Sequence, residues 1–181
     1  MAAEQRLSLT LQPQFLRGAA LVVQGAVDEA IARIREGVTR WTQLRHTLPL
    51  PYGLAFLAEG LERHGDRAAA RAALQEGLDT AVATGQHLWD AELHRLTGTV
   101  LLTENKLNEA EASLQQAIRI AQAQEAKSLE LRAAYDLARL WGEQGRRPEA
   151  HDLLAPVYGW FTEGFDTVDL KDAGKLLSEL A

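Results

Sequence analysis

Cysteine is absent from the 181 residues, which excludes disulfide scaffolds, Cys-ligated zinc sites, iron–sulfur clusters and thiol nucleophiles. Excess positive charge is lacking too. Lys and Arg number 19 against 25 Asp and Glu, for a net charge of -6 and a pI near 5.4. That sign is wrong for tracking a phosphate backbone or an anionic membrane surface, so neither nucleic acid nor membrane is an expected partner. Nowhere do about 18 uncharged apolar residues run together as a membrane span needs, and the start, MAAEQRLSLTLQPQ, has no basic cap before a long apolar stretch. A reducing, cytoplasmic setting is the expectation.

Catalytic signatures are also missing. No HExxH occurs, and Ser8, Ser113, Ser128 and Ser178 stand in no GxSxG setting. His87 and His94 are seven apart without a second pair at i, i+4, so no metal site is expected, and His94 reads as an interhelical packing residue. Asp90, Glu92 and His94 alternate along a helix and diverge, with no nucleophile or oxyanion partner. The expectation is a protein that is not an enzyme and holds no cofactor.

What is present is ordinary for a globular chain, 46% apolar and 24% charged, and it carries a repeat of 40 residues. Gly25, Gly65, Asn105 and Gly145 recur at that spacing, and these residue types enter a left-handed backbone at least cost, so each marks a helix end. Five residues later stand Ala30, Ala70, Ala110 and Ala150, preceded in three copies by Glu, a charge that suits the first turn of a helix. Twelve residues before each Ala comes a second small residue, Gly18, Ala58, Gly98 or Ala138, followed three later by Leu21, Leu61, Leu101 or Trp141. Ile34, Leu74, Leu114 and Leu154 lie four after the Ala, and Gly37, Gly77, Ala117 and Val157 seven after it. Spacings of 3 and 4 put these columns on one face of each helix, so every copy is an antiparallel helical hairpin whose helices approach closely at the small residues.

The copies run 11–50, 51–90, 91–130 and 131–170. A lone hairpin cannot bury its apolar face, so the expectation is one all-α domain over 1–181, a right-handed superhelical solenoid of four hairpins. A closing helix over 167–180 follows, capped by Asp166 or Thr167, with Val168, Leu170, Ala173, Leu176, Leu177 and Leu180 on one stripe. Residues 1–10 are too few for a matching pair at the other end, and Pro13 delays the first helix. The first repeat therefore reads as a cut edge, suggesting a piece of something longer and an uncapped face open to homo-oligomer formation.

These columns resemble those of the tetratricopeptide repeat. That motif usually runs to 34 residues and closes on Pro; here the closing column is Thr42, Val82, Gln122 and Thr162, so the second helices can run on. Segments such as FLRGAALVVQGAVDEAIARIREG, PYGLAFLAEGLERHG and LLAPVYGWFTEGFDTVDLKDAGKLL further resemble the C-terminal repeat region of bacterial multidomain regulators. Those carry a class III adenylate or guanylate cyclase domain, or a DNA-binding head, with a STAND-type ATPase. The chain has no GxxxxGK[ST] loop and no cyclase Asp pair. The resemblance therefore implies only the repeat region's role in signal transduction: binding and regulation, with an upstream catalytic or ATPase domain among the implied partners.

In tetratricopeptide arrays the first helices line a concave groove. By spacing, the positions facing it are Tyr52, Ala55, Phe56, Glu59, Glu62 and Arg63; Glu92, Arg95, Leu96 and Thr99; and Arg132, Tyr135, Asp136 and Arg139, with Trp89 leading into copy three. Arg95, Arg132 and Arg139 have the chemistry to clamp a carboxylate or acidic peptide. Equally, they have the chemistry to pair internally with Glu92, Asp136 and Glu143. Trp41, Trp141 and Phe161 read as packing residues and Trp160 as a dock for the closing helix. The functional expectation is a scaffold that binds a peptide, helix or neighbouring domain. The alternatives are a small-ligand sensor, which requires a closed pocket, and a structural oligomerisation piece.

Overall fold

A computed structural model of the protein describes Gly18, Leu21 and residues 26–181. Pro13, Gly25 and the opening residues of copy one lie outside the described residues, and with them the expected cut edge. Among residues 26–181 there are eight helices: α1 (Val27–Gln43), α2 (Leu50–His64), α3 (Arg67–Thr84), α4 (Asp90–Thr103), α5 (Leu107–Ala123), α6 (Lys127–Glu143), α7 (Arg147–Tyr158) and α8 (Val168–Leu180). No strand occurs among the described residues. The chain divides into two compact units between Trp89 and Asp90. In the first, α2 packs against α1 and α3; in the second, each of α4 to α7 packs against its successor, and α6 also touches α4 and α8.

The small-residue columns do what their size allows. Ala30, Ala70, Ala110 and Ala150 are all 0% exposed. Gly98 faces the second helix of its hairpin so closely that a Cβ there would lie 2.7 Å from Leu114 Cγ, and Gly18 stands equally close to Ile34 Cγ1. Ile34, Leu74, Leu114 and Leu154, the side chains driven into this contact, are fully buried, worth about 1.5–3 kcal/mol apiece.

The hairpin turns after α2, α4 and α6 close in the same way. Gly65, Asn105 and Gly145 have φ of 91°, 59° and 80°, and the next amide donates five residues back to Leu61 O, Leu101 O and Trp141 O at 2.8–3.0 Å. The column Leu61, Leu101, Trp141 thus supplies both the apolar contact and the carbonyl of a Schellman end. A second left-handed column, not evident in the sequence, closes the other helices: Arg45, Gly85 and Glu125 have φ of 55°, 69° and 55°. His46, Gln86 and Ala126 then donate back to Trp41 O, Ala81 O and Ala121 O.

The second helices run 17, 18 and 17 residues in α1, α3 and α5, so the extra length of the repeat is taken up largely there. The fourth differs. α7 has 12 residues with Pro156 inside it, and Pro removes an amide that continuation would use.

α8 sits where the first helix of a fifth copy would fall. Leu170, Ala173 and Leu180 are buried, 40 residues after Glu130, Ala133 and Leu140 on α6, which are buried as well. Ser178 continues the column of Gly18, Ala58, Gly98 and Ala138 but is exposed, because no second helix covers it. Two expectations change here. Val168 is 71% exposed rather than on the buried stripe, and Trp160 is 59% exposed rather than docked. Trp160 meets Phe161 edge-on at 5.1 Å, while Tyr158 reaches α8, its hydroxyl 3.0 Å from where a Gly174 Cβ would stand. The helix begins at Val168, and Thr167 caps it without a side-chain hydrogen bond.

Candidate functional site

In the first unit the helical period brings Tyr52 and Phe56, four apart on α2, into edge-to-face contact at 4.7 Å. Trp89, just after the next inter-repeat turn, lies against Tyr52 with ring centroids 4.2 Å apart and planes at 35°. All three rings are half-buried, and burial raises the Tyr52 hydroxyl pKa. Leu48 and Leu88, 40 apart in successive inter-repeat turns, are 70% and 68% exposed. Glu59 bonds to Arg63 at 2.9 Å on an outer face, a pairing worth a few tenths of a kcal/mol.

In the second unit the ionic candidates converge below the surface. Arg95 Nε and Nη2 donate to Glu92 Oε2 and Oε1 at 2.9 and 2.8 Å, a two-point grip between residues three apart on α4. Its Nη1 donates across to Asp136 Oδ2 on α6 at 2.7 Å. Arg132, also on α6, places Nη1 3.0 Å from Glu92 Oε1. Glu92, Arg95 and Asp136 are only 6%, 9% and 6% exposed, because α4 and α6 pack side by side there. Burial by itself would raise the Glu92 pKa, but the Arg95 hydrogen bonds and the Arg95 and Arg132 charges outweigh it and hold the carboxyl below its ordinary value. Burial likewise opposes ionisation of Arg95, and Glu92 and Asp136 reverse the effect, raising its pKa.

Above this network lies a solvent-open cleft of about 130 Å³ lined by Arg95, Leu131, Arg132, Tyr135, Asp136, Asp169 and Asp172. Tyr135 is half-buried; its hydroxyl pKa is raised by burial first, with Arg139 opposing and Asp172, Asp136 and Glu179 reinforcing. Arg139 is exposed, and the half-buried Thr99 donates its hydroxyl to Leu96 O of its own helix at 2.8 Å. Asp169 and Asp172 come from α8, which sequence reasoning treated only as an apolar lid. The repeat itself held the signal: Asp172 stands 40 after Arg132 and 80 after Glu92.

Elsewhere the polar interior is structural. Ser113 Oγ donates to His94 O at 2.8 Å, and burial lowers the His94 pKa. Buried Glu130 accepts from Lys127 at 2.7 Å and from Gln122 at 2.9 Å, tying α6 to α5. No group of three or more His, Asp or Glu suited to a metal ion occurs among the described residues. None of their helices is long and apolar enough to cross a membrane.

No protein-family model and no curated protein matches the sequence. Solved structures do match. Kinesin light chain-like, nearly identical TPR-like repeats from Podosopora anserina superpose with a TM-score of 0.69 at 20% identity, covering 94% of this chain and 85% of that one. A variant of the same repeats gives a TM-score of 0.70 at 20% identity over 94% and 84%. The fold is a TPR-like helical repeat. At 20% identity the likeness speaks to fold alone.

Proposed function

We propose that this protein is a non-catalytic interaction module, a single domain over 1–181 that presents the outward faces of its first helices to a peptide, a helix or a neighbouring domain. The observation carrying this reading is the α4–α6–α8 cleft. Its floor is fixed by the buried Glu92–Arg95–Asp136 network, and its walls offer Tyr135, Arg132, Asp169 and Asp172 to solvent. Preorganised polar groups around a half-buried aromatic residue suit recognition. The Tyr52–Phe56–Trp89 stack offers a second, apolar surface in the first unit. Size weighs against a metabolite site at this cleft, since its volume of about 130 Å³ falls below the ~300–1,000 Å³ usual for small-molecule sites. A regulatory role beside an upstream cyclase or ATPase belongs to the same proposal and rests on the segment resemblance; a cytoplasmic setting, from the absence of cysteine, and self-association through the first repeat are proposed with it.

The test is selection of displayed random peptides on the full chain, followed by calorimetry on wild type and on the Trp89→Ala and Tyr135→Ala variants. Selected peptides should bind, and at least one variant should weaken them about tenfold. Failure to select any peptide would overturn the reading, and a rise in Tm on adding a small metabolite would favour a sensor in its place.

A further inference from the structure

We infer that the α4–α6–α8 cleft is a receptor for an arginine or lysine side chain of a partner protein, the reverse of the acidic ligand that its arginines first suggest. This rests on the interaction reading and assigns the chemistry of its partner. The charge balance decides the sign. Arg95 and Arg132 are matched one for one by Glu92 and Asp136, with every pair at 3.0 Å or less. Their charge is therefore spent inside the protein and is not available to clamp a carboxylate. What remains on the lining is Asp169 and Asp172, neither of which forms an ion pair with another described residue.

A second observation points the same way. Asp136 is 6% exposed and lines the cleft. Arg95 occupies its Oδ2, while Oδ1 has no hydrogen-bond partner among the described residues. This oxygen is not sealed from solvent, so it is an acceptor open to a donor that arrives through the cleft. The donor is not a metal ion, because these carboxylates do not converge as a metal site requires. An extended organic cation, able to reach several acceptors at once and to lie against the Tyr135 ring, fits the spread. Arg139 on α6 and Lys171 and Lys175 on α8 are exposed positive charges outside the cleft lining, and solvent screens them.

The experiment is an NMR titration of the full chain with N-acetyl-arginine-methylamide and, separately, N-acetyl-glutamate-methylamide. The arginine probe should shift the amides around Tyr135, Asp136, Asp169 and Asp172 in a saturating manner, and the glutamate probe should not. Asp169→Asn combined with Asp172→Asn, both exposed positions, should weaken the arginine probe about tenfold while leaving the rest of the spectrum in place. Equal shifts from both probes, no shift from the arginine probe, or arginine affinity unchanged within about twofold in the double variant would each overturn the assignment. If peptides are selected on the chain but bind the double variant undiminished, this inference fails and the interaction reading stands. If no peptide is selected, the interaction reading fails, and the probe titration still decides the chemistry of the cleft.

Discussion

Arg95 holds three hydrogen bonds to two carboxylates while 9% exposed, and that combination sets the cost of losing it. Removing one member of a buried ion set strands its partners without water, at about 3–5 kcal/mol. Arg95→Ala should therefore lower the urea-unfolding free energy by that order, whereas Arg139→Ala, at an exposed position, should stay within about 0.5 kcal/mol. Similar losses for the two would mean that the network adds nothing beyond a surface contact. Glu92 brings a pH dependence whose sign follows from its lowered pKa in the fold. Above the unfolded value of about 4.3 both states are ionised and the stabilisation is complete. As pH falls below that value the unfolded chain takes up the proton first, and stability drains away until the folded pKa is passed. Urea midpoints should fall on acidification below about pH 4.3, with a shallower slope in Glu92→Gln. These residues were visible in the sequence as a set, but not as a pairing. Periodicity places Arg95 and Asp136, 41 apart, on corresponding faces; whether they bind each other or a ligand depends on how closely α4 and α6 pack, which spacing does not encode.

The helix ends show the same division between what composition announces and what it conceals. Gly65, Asn105 and Gly145 announce their turns because the residue type matches the positive φ. Arg45 and Glu125 adopt φ of 55° with no such sign, since the Schellman bonds of Arg45 to Thr42 O and Glu125 to Gln122 O hold an unfavourable conformation in place. A side chain there costs about 1–2 kcal/mol, partly offset by the greater freedom glycine has when unfolded. Glu125→Gly should accordingly stabilise the protein by up to about 1 kcal/mol, and Gly145→Ala, at φ 80°, should destabilise it by about 1–2 kcal/mol. A drop in Tm for the first or a rise for the second would contradict this account. The hairpin contact is tested by Gly98→Ala. Alanine gains about 1 kcal/mol in helix propensity, but its Cβ would stand 2.7 and 2.9 Å from Leu114 Cγ and Cδ2 and 3.3 Å from Ala110 O. Overpacking at about 1–3 kcal/mol should win, giving a net loss that Leu114→Val partly recovers in the double variant. A stabilised single variant would show that α4 and α5 can separate cheaply.

For the chain as a whole, the 40-residue phase was the most legible property, because close packing demands small residues at fixed places in every copy. Least legible was the end of the array. The apolar stripe on α8 was plain, but its place as a fifth first helix was masked by the shortened α7 and the aromatic segment before it. That position makes α8 both a cap and a wall. Leu170, Ala173 and Leu180 are buried, Leu180 lies against Gly142 of α6, and Arg147 of α7 donates to Glu179 O, while Asp169 and Asp172 complete the cleft. In a repeat array each element is stabilised mainly by its neighbours, so deleting residues 162–181 should remove the burial of two leucines and an alanine and uncover the α6–α7 surface. The expected loss is about 3–6 kcal/mol, read as a lower urea midpoint with increased binding of a hydrophobic dye. Leu180→Ala, a milder cut at the same contact, should lose about 2–4 kcal/mol and keep the cleft acids in place. A truncated chain with an unchanged urea midpoint would show that α8 is an ornament on the second unit rather than part of its core, and the cleft would lose its third wall.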